Sequence, residues 1–213
     1  MVVLQRHVHV KLYYCCIMKH FYLLLSAAFL FAACSKDKFD PSKPKDGQEV
    51  EVFLDHYTTA GDPRIFHTDR DHSLYTYLHK FDEREIGYTY VIKARVVVSP
   101  PSWQDSPLYT LDYIKTLAKE KYQGKDTFAL PLFGWTGGGS DAFFLRKDAG
   151  KYSYLGFQLT PADATVQQDL DTALVKGPPM TTSAGPWTAF KVFVQHDPAN
   201  YTKGYIVHRV QLP

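Results

Sequence analysis

The stretch GYTYVIKARVVVSPP, residues 87 to 101, decides the fold class. Tyr88, Tyr90, Ile92, Ala94, Val96 and Val98 fall on every second position, while Lys93 and Arg95 take positions between them. An extended backbone points successive side chains to opposite faces, so this spacing makes one apolar face and one wet face, the pattern of a half-buried strand. Pro100 and Pro101 lack the N–H that a ladder requires and end it. Sheets with one solvated face are ordinarily antiparallel.

The same period extends outward in both directions. Val50, Val52 and Leu54 alternate with Glu51 and Asp55, predicting a strand from about residue 50. RIFH (64–67) and LYTYL (74–78) predict two more short strands around the polar TDRDHS. LYTLDYIKTLAKEKY (108–122) satisfies two periods at once: Tyr109, Leu111 and Tyr113 alternate, yet Leu111, Ile114, Leu117 and Ala118 also share a helical face, and the segment is read as a strand passing into a helix. FALPLF (128–133) predicts a strand, GWTGGGSDA (134–142) a hairpin connection, and FFLRKDAGKYSYLGFQ (143–158) a hairpin turning at Ala149 and Gly150. Thr160 as cap and Pro161 as first helical residue introduce a helix with an apolar stripe of Val166, Leu170, Ala173 and Leu174, stopped by Gly177. Strands at about 187–196 and 204–212 complete the chain. The sum is a β-rich α+β fold, mainly antiparallel, with one or two helices. It divides into a β-rich region at 49–120 and a second at 125–213 that carries one helix, as two domains or as one.

Ahead of this body, FYLLLSAAFLFAACSKD (21–37) is apolar for 13 residues, Phe21 to Ala33, and then charged. A membrane-spanning helix needs about 20 residues, whereas the length suits the central region of a secretory signal. Met18, Lys19 and His20 supply a start and a positive charge, so 1–33 reads as a signal peptide whose true start is Met18, residues 1–17 reflecting a mis-assigned upstream start. Phe31, Ala32, Ala33 and Cys34 resemble the bacterial lipobox, with phenylalanine where leucine is usual. The resemblance implies cleavage before Cys34, acylation of its thiol, a lipid membrane as partner and residence at the cell envelope, on its periplasmic or surface face. Two or more acyl chains hold a protein stably where one does not. An ordinary cleaved signal with an incidental cysteine is the alternative. KDKFDPSKPKDGQ (36–48) has charge, proline and glycine with little to bury, so 34–48 reads as a lipidated tether.

Composition changes once the signal is set aside. Three of the 24 basic residues (Arg6, Lys11 and Lys19) precede Cys34 and no acidic residue does, which leaves 21 basic against 22 acidic. That balance removes the electrostatic case for a nucleic-acid partner. Cys15 and Cys16 also precede Cys34, so no disulfide is available and stability must come from the core. A chain of 180 residues from Cys34 onward buries roughly 70% of its unfolded surface, and an aromatic content of 15% argues against disorder.

Gly87, Tyr88, Tyr90, Pro100, Pro101, Asp105, Tyr109 and Leu111, in that order, resemble a bacterial family known as domain of unknown function 4377. The likeness spans about residues 48–120. It implies an envelope lipoprotein, such domains sometimes lying beside a META domain of heat-shock-type proteins, and it brings no activity. This chain lacks the upstream cysteine pair that many such relatives carry. The matched residues read as architecture: Tyr88 and Tyr90 on the buried face, the prolines stiffening a turn, and Asp105 accepting backbone donors.

Among chemistry-bearing clusters, HTDRDH (67–72) places His67, Asp69 and Asp71 on one side of an extended segment, where they could ligate a divalent ion with Asp55 and His56. The glycine and distal glutamate of an EF-hand loop are missing and no HExxH is present, so a solvated loop with no metal or other cofactor is expected, a metal-assisted hydrolase being the alternative. GWTGGGSDA has no lysine for a phosphate loop, and Ser140 is not followed by the glycine of a hydrolase elbow. No catalytic residue is assigned, and His196 and His208 are expected to be packed or exposed. Trp103 and Trp135 lie in predicted loops, where such rings either close the end of a sheet or stack on sugars and cap a partner's apolar surface. The expectation is a membrane-anchored binding or assembly module without enzymatic activity, its partner an envelope protein or a glycan. A glycan-binding module using loop aromatics is a second alternative.

Overall fold

Strand β4 (Tyr88–Val98) sits inside a five-stranded sheet with β1 (Glu49–Leu54), β2 (Ile65–His67), β3 (Leu78–His79) and β5 (Tyr109–Lys121), in the order β2-β1-β4-β5-β3. The computed structural model describes residues 39–103, 106–135, 141–178 and 189–213, and Asp40–Pro213 form one compact unit. Cys34, Asp105 and Ser140 lie outside the described residues. The alternation read at 87–98 holds from Tyr90 to Val96, where Tyr90, Ile92, Ala94 and Val96 are buried and Arg95 is exposed; Tyr88 is only half-buried and Val98, expected on the same face, is exposed. The same face is continued by Val50, Val52 and Leu54 on β1 and by Tyr109 and Leu111 on β5. Each fully buried aliphatic side chain contributes about 1.5–3 kcal/mol.

A six-stranded sheet forms from β6 (Phe128–Pro131), β9 (Leu145–Asp148), β10 (Lys151–Tyr154), β11 (Phe157–Pro161), β12 (Lys191–His196) and β13 (Gly204–Gln211), ordered β6-β12-β13-β11-β10-β9. A two-stranded ribbon joins β7 (Phe133–Trp135) to β8 (Asp141–Phe143). All pairs are antiparallel except β3 with β5 and β11 with β13. Among the described residues there is one α-helix, α1 (Ala164–Lys176), which packs Val166, Leu170 and Ala173 against the second sheet. The fold is therefore α+β and strand-dominated. Among the described residues no helix is long and apolar enough to cross a membrane.

Three local expectations are corrected. Residues 108–122 contain no helix: β5 runs unbroken through Tyr109–Lys121, paired with β4 along its length. Register shifts at Val91/Ile92 and Lys93/Ala94 change which β5 side chains face the core, so Ile114 and Leu117 are exposed even though their spacing fits a helix. LYTYL keeps a strand's alternation, with Leu74 and Thr76 buried and Tyr75 and Tyr77 exposed, but only Leu78 continues into β3. Helix α1 starts later than Thr160 and Pro161 suggest, because those residues pair with Ile206 and Val207 in the parallel β11–β13 ladder. Asp163 is the cap, its Oδ1 accepting from the Val166 N–H at 2.8 Å. The Ala149–Gly150 hairpin is as expected, both residues having positive φ (45° and 80°).

Gly87 begins β4 at the contact between the sheets. Its φ is +90°, and a Cβ there would meet the Tyr201 ring at 2.5 Å. Gly150 has a similar φ of +80° with nothing within 4 Å of a Cβ. Gly150→Ala should cost about 1 kcal/mol of backbone strain, and Gly87→Ala about 2–4 kcal/mol once overpacking is added. Urea unfolding of the two variants checks this; equal losses would mean that Tyr201 yields freely.

Candidate functional site

Four strand ends converge on one seam: β1 delivers His56, β5 delivers Tyr122, β6 begins at Phe128 and β12 ends at His196. His56 Nδ1 lies 2.8 Å from His196 Nε2, across 140 residues of sequence. Both side chains are nearly enclosed, at 6% and 8% exposure. Aromatic rings surround them. Tyr122 stacks on His56 at 3.6 Å between centroids, Phe128 meets His56 edge-on at 4.9 Å, and Tyr201 tilts against His196 at 4.9 Å. The Tyr201 hydroxyl donates to the Tyr122 carbonyl and the Gly87 N–H donates to the His56 carbonyl at 2.7 Å, so ring packing and backbone bonds close the same seam.

The segment between β1 and β2 is held from both sides. Arg84 donates to the carbonyls of Pro63, Asp55 and Tyr57 at 2.7, 3.0 and 3.2 Å. Burial pulls its pKa down to about 10, so it remains charged at neutral pH. The Tyr154 hydroxyl of the second sheet accepts from the Ala60 N–H at 2.9 Å.

Burial drives both histidine pKa values down from about 6.5 to about 4; for His196 the neighbouring His56 lowers it further, while Asp55 opposes the shift at His56. Burial thus keeps both rings neutral at pH 7, and the 2.8 Å contact, which requires one ring N–H and one bare nitrogen, could not survive in a doubly charged pair, donor facing donor. This pair is a joint with cavities on either side. One, about 340 Å³, is lined by Phe53, Asp55, His56, Arg64, Phe66, Arg70, Thr89 and Tyr122. The other, about 470 Å³, is bounded by residues from Lys121 to Lys125 and from Gln195 to Tyr201.

A third cleft, about 320 Å³, lies where LYTYL passes the end of β5. Tyr75 and Tyr77 line it with Asp62, Pro63, Ser73, Thr76 and Pro107, and Tyr75 is 77% exposed. Thr76 Oγ1 donates to the Tyr109 carbonyl at 2.8 Å and the Leu111 N–H donates to the Tyr77 carbonyl at 2.8 Å. These bonds fix the backbone and leave both phenols facing outward.

The residues singled out from sequence are scattered. His67 Nδ1 stands 3.6 Å from Asp69 Oδ2 in the turn after β2, while Asp71 is exposed. Asp55 and His56 lie beyond the other end of that pairing, since Leu54 faces Ile65 and Val52 faces His67. Among the described residues no three of these side chains gather to hold a metal ion. Trp103 is 61% exposed in the turn after β4 and does not plug the sheet. Trp135 pairs with Asp141 within the β7–β8 ribbon, in a strand rather than a loop. His208 is exposed and bonded to Gln195 at 3.0 Å. No sequence signal joins His56 to His196, although each continues a buried stripe: Val50, Val52, Leu54, His56 and Val192, Val194, His196. Comparison of the chain with known families, with curated proteins and with solved structures finds no match.

The unfolded chain protonates these histidines near pH 6.5 and the folded one near 4. Stability is therefore fully present above pH 6.5, declines as pH falls toward 4, and stops depending on this pair below that. His196→Phe should lose about 1–3 kcal/mol at pH 7 by leaving His56 Nδ1 without its partner, and should flatten the slope between pH 6.5 and 4. Chemical unfolding at several pH values checks both; a variant as pH-dependent as the parent would place the titration elsewhere.

Proposed function

We propose that this protein is a lipid-anchored envelope protein without enzymatic activity, whose folded body captures a glycan on the cleft carrying Tyr75 and Tyr77. The observation that carries the reading is the outward pair itself. Two tyrosines two residues apart, with Leu74 and Thr76 buried between and beside them, form an exposed aromatic edge on a rigid backbone. Aromatic faces bind the C–H faces of sugar rings, and Asp62 and Ser73 supply polar groups at the rim for hydroxyls. Trp103, in the turn after β4, is a further solvent-facing ring at 61% exposure. The lipobox-like Phe31–Cys34 supports anchoring through acylated Cys34, with 34–48 as tether. The likeness to domain of unknown function 4377 agrees with an envelope setting and adds no activity.

The experiment is sedimentation of the full-length protein with insoluble envelope polysaccharide, together with intact mass measurement of the native protein. Tyr75→Ala/Tyr77→Ala should weaken capture about tenfold or more and leave the melting temperature essentially unchanged, since the lost rings are exposed. The native mass should show a chain beginning at acylated Cys34. Undiminished capture would remove the cleft from the function, and an unmodified chain retaining residues 1–33 would remove the anchor.

A further inference from the structure

Phe53 breaks the alternation of β1. Glu49 and Glu51, on the same side of the strand, are exposed, yet Phe53 is buried. Its cover is unusual for an aromatic ring: the Arg70 guanidinium lies 4.1 Å from the ring centroid. Next to it, Arg64 stacks 4.7 Å from Phe66 and 4.9 Å from Tyr57. Both guanidiniums line the 340 Å³ cavity, a volume suited to a small molecule.

Stacking occupies the faces of the guanidiniums, while their N–H groups lie in the plane and stay available at the edges. Arg64 spends Nη2 on Asp55 at 3.1 Å and reaches Asp62 at 3.6 Å, and its buried Nε has no hydrogen-bond partner among the described residues. Arg70 pairs with no carboxylate among the described residues, although Asp69 and Asp71 flank it in sequence, and Asp69 instead approaches His67. Asp55, the carboxylate that lines the cavity, and Asp62 outside it both attend Arg64, so the guanidinium at the cavity without a carboxylate partner among the described residues is Arg70. His56 is neutral there, and Thr89 turns its hydroxyl toward the Glu120 carbonyl at 3.4 Å.

The backbone is committed to this arrangement. Arg64 and Arg70 have φ of +58° and +64°, a region costly to any residue bearing a Cβ. The turn that sets Arg70 over Phe53 is closed by Arg70 N–H to the His67 carbonyl at 2.9 Å and His67 N–H to the His72 carbonyl at 3.0 Å. The 67–72 loop therefore contributes a cation to the cavity.

We propose that this cavity binds a small organic anion, its carboxylate or phosphate head held by the edges of Arg70 and Arg64 and its apolar body against Phe53, Phe66 and Tyr122. The site is separate from the tyrosine cleft and does not depend on it. Arginine edges match either head bidentately.

The test is calorimetric titration of the full chain at pH 7.5 and low ionic strength with benzoate, phenyl phosphate and benzyl alcohol. Saturable binding of at least one anion is expected, with the stronger of the two identifying the head group and with no binding of the neutral alcohol. Arg70→Gln, which keeps a Cβ and so the same backbone cost, should bind about tenfold more weakly or worse; Arg70→Lys should fall between, keeping charge but losing the fork. Raising salt should weaken binding of the parent. Absence of saturation by either anion up to about 10 mM, unchanged affinity in Arg70→Gln, or equal binding of benzyl alcohol would overturn the proposal.

Discussion

The hydrogen bond between His56 and His196 needs one ring N–H facing one bare nitrogen, an arrangement lost when both imidazoles are charged, and burial keeps both neutral at pH 7 where the two sheets meet. Tyr122, Phe128 and Tyr201 screen the pair from water, so a charge placed there would lose solvation, and two charged rings would oppose donor to donor. In return, a single 2.8 Å contact joins the end of β1 to the end of β12, and ring stacking brings β5 and β6 to the same point. Its own net contribution is modest, about 1 kcal/mol. Its structural effect is larger, because the loop between β1 and β2 begins at this point.

From the seam outward, geometry follows from where each strand stops. The 55–63 segment is gripped by Arg84 through three carbonyls and by Tyr154 through the Ala60 N–H. Arg64 then opens β2 beside Asp55, and LYTYL is drawn along the end of β5 by backbone bonds. The arginine cavity and the tyrosine cleft draw interleaved residues from one stretch of chain, Pro63 lining the cleft and the adjacent Arg64 the cavity. A rigid joint between two sheets, with loops projecting from it, is a sound frame for binding.

Period-two patterning made the strand architecture readable wherever both faces of a strand had ordinary neighbours. Residues 50–54 and 87–98 show it, as do the Ala149–Gly150 hairpin and the stripe on α1, each a local feature whose residues specify their own geometry. Reading failed where a distant partner decided the outcome. Leu111, Ile114, Leu117 and Ala118 fit a helix, but the segment pairs with β4, and bulges in β5 at Ile114 and Leu117 reassign its faces. Thr160 and Pro161 fit a helix start, but a parallel ladder with β13 claimed them first. The seam is the extreme case: each histidine's burial was readable as the next step of an apolar alternation, while their meeting across 140 residues had no sequence signal. In the 67–72 loop His67, Asp69 and Asp71 have the residue types of a metal site, yet the residue that lines a cavity is Arg70 between them.

The account rests on a neutral, shared imidazole contact at neutral pH, and nitrogen-15 NMR of the histidine side chains reads it directly. His56 and His196 should each show one protonated and one bare nitrogen at pH 7, coupled through the contact, with no change until the pH falls well below 6 toward about 4. Exposed His208 serves as a reference in the same spectrum. Titration of either seam histidine near the ordinary value of about 6.5, or a ring cationic at pH 7, would contradict the joint and the architecture built on it.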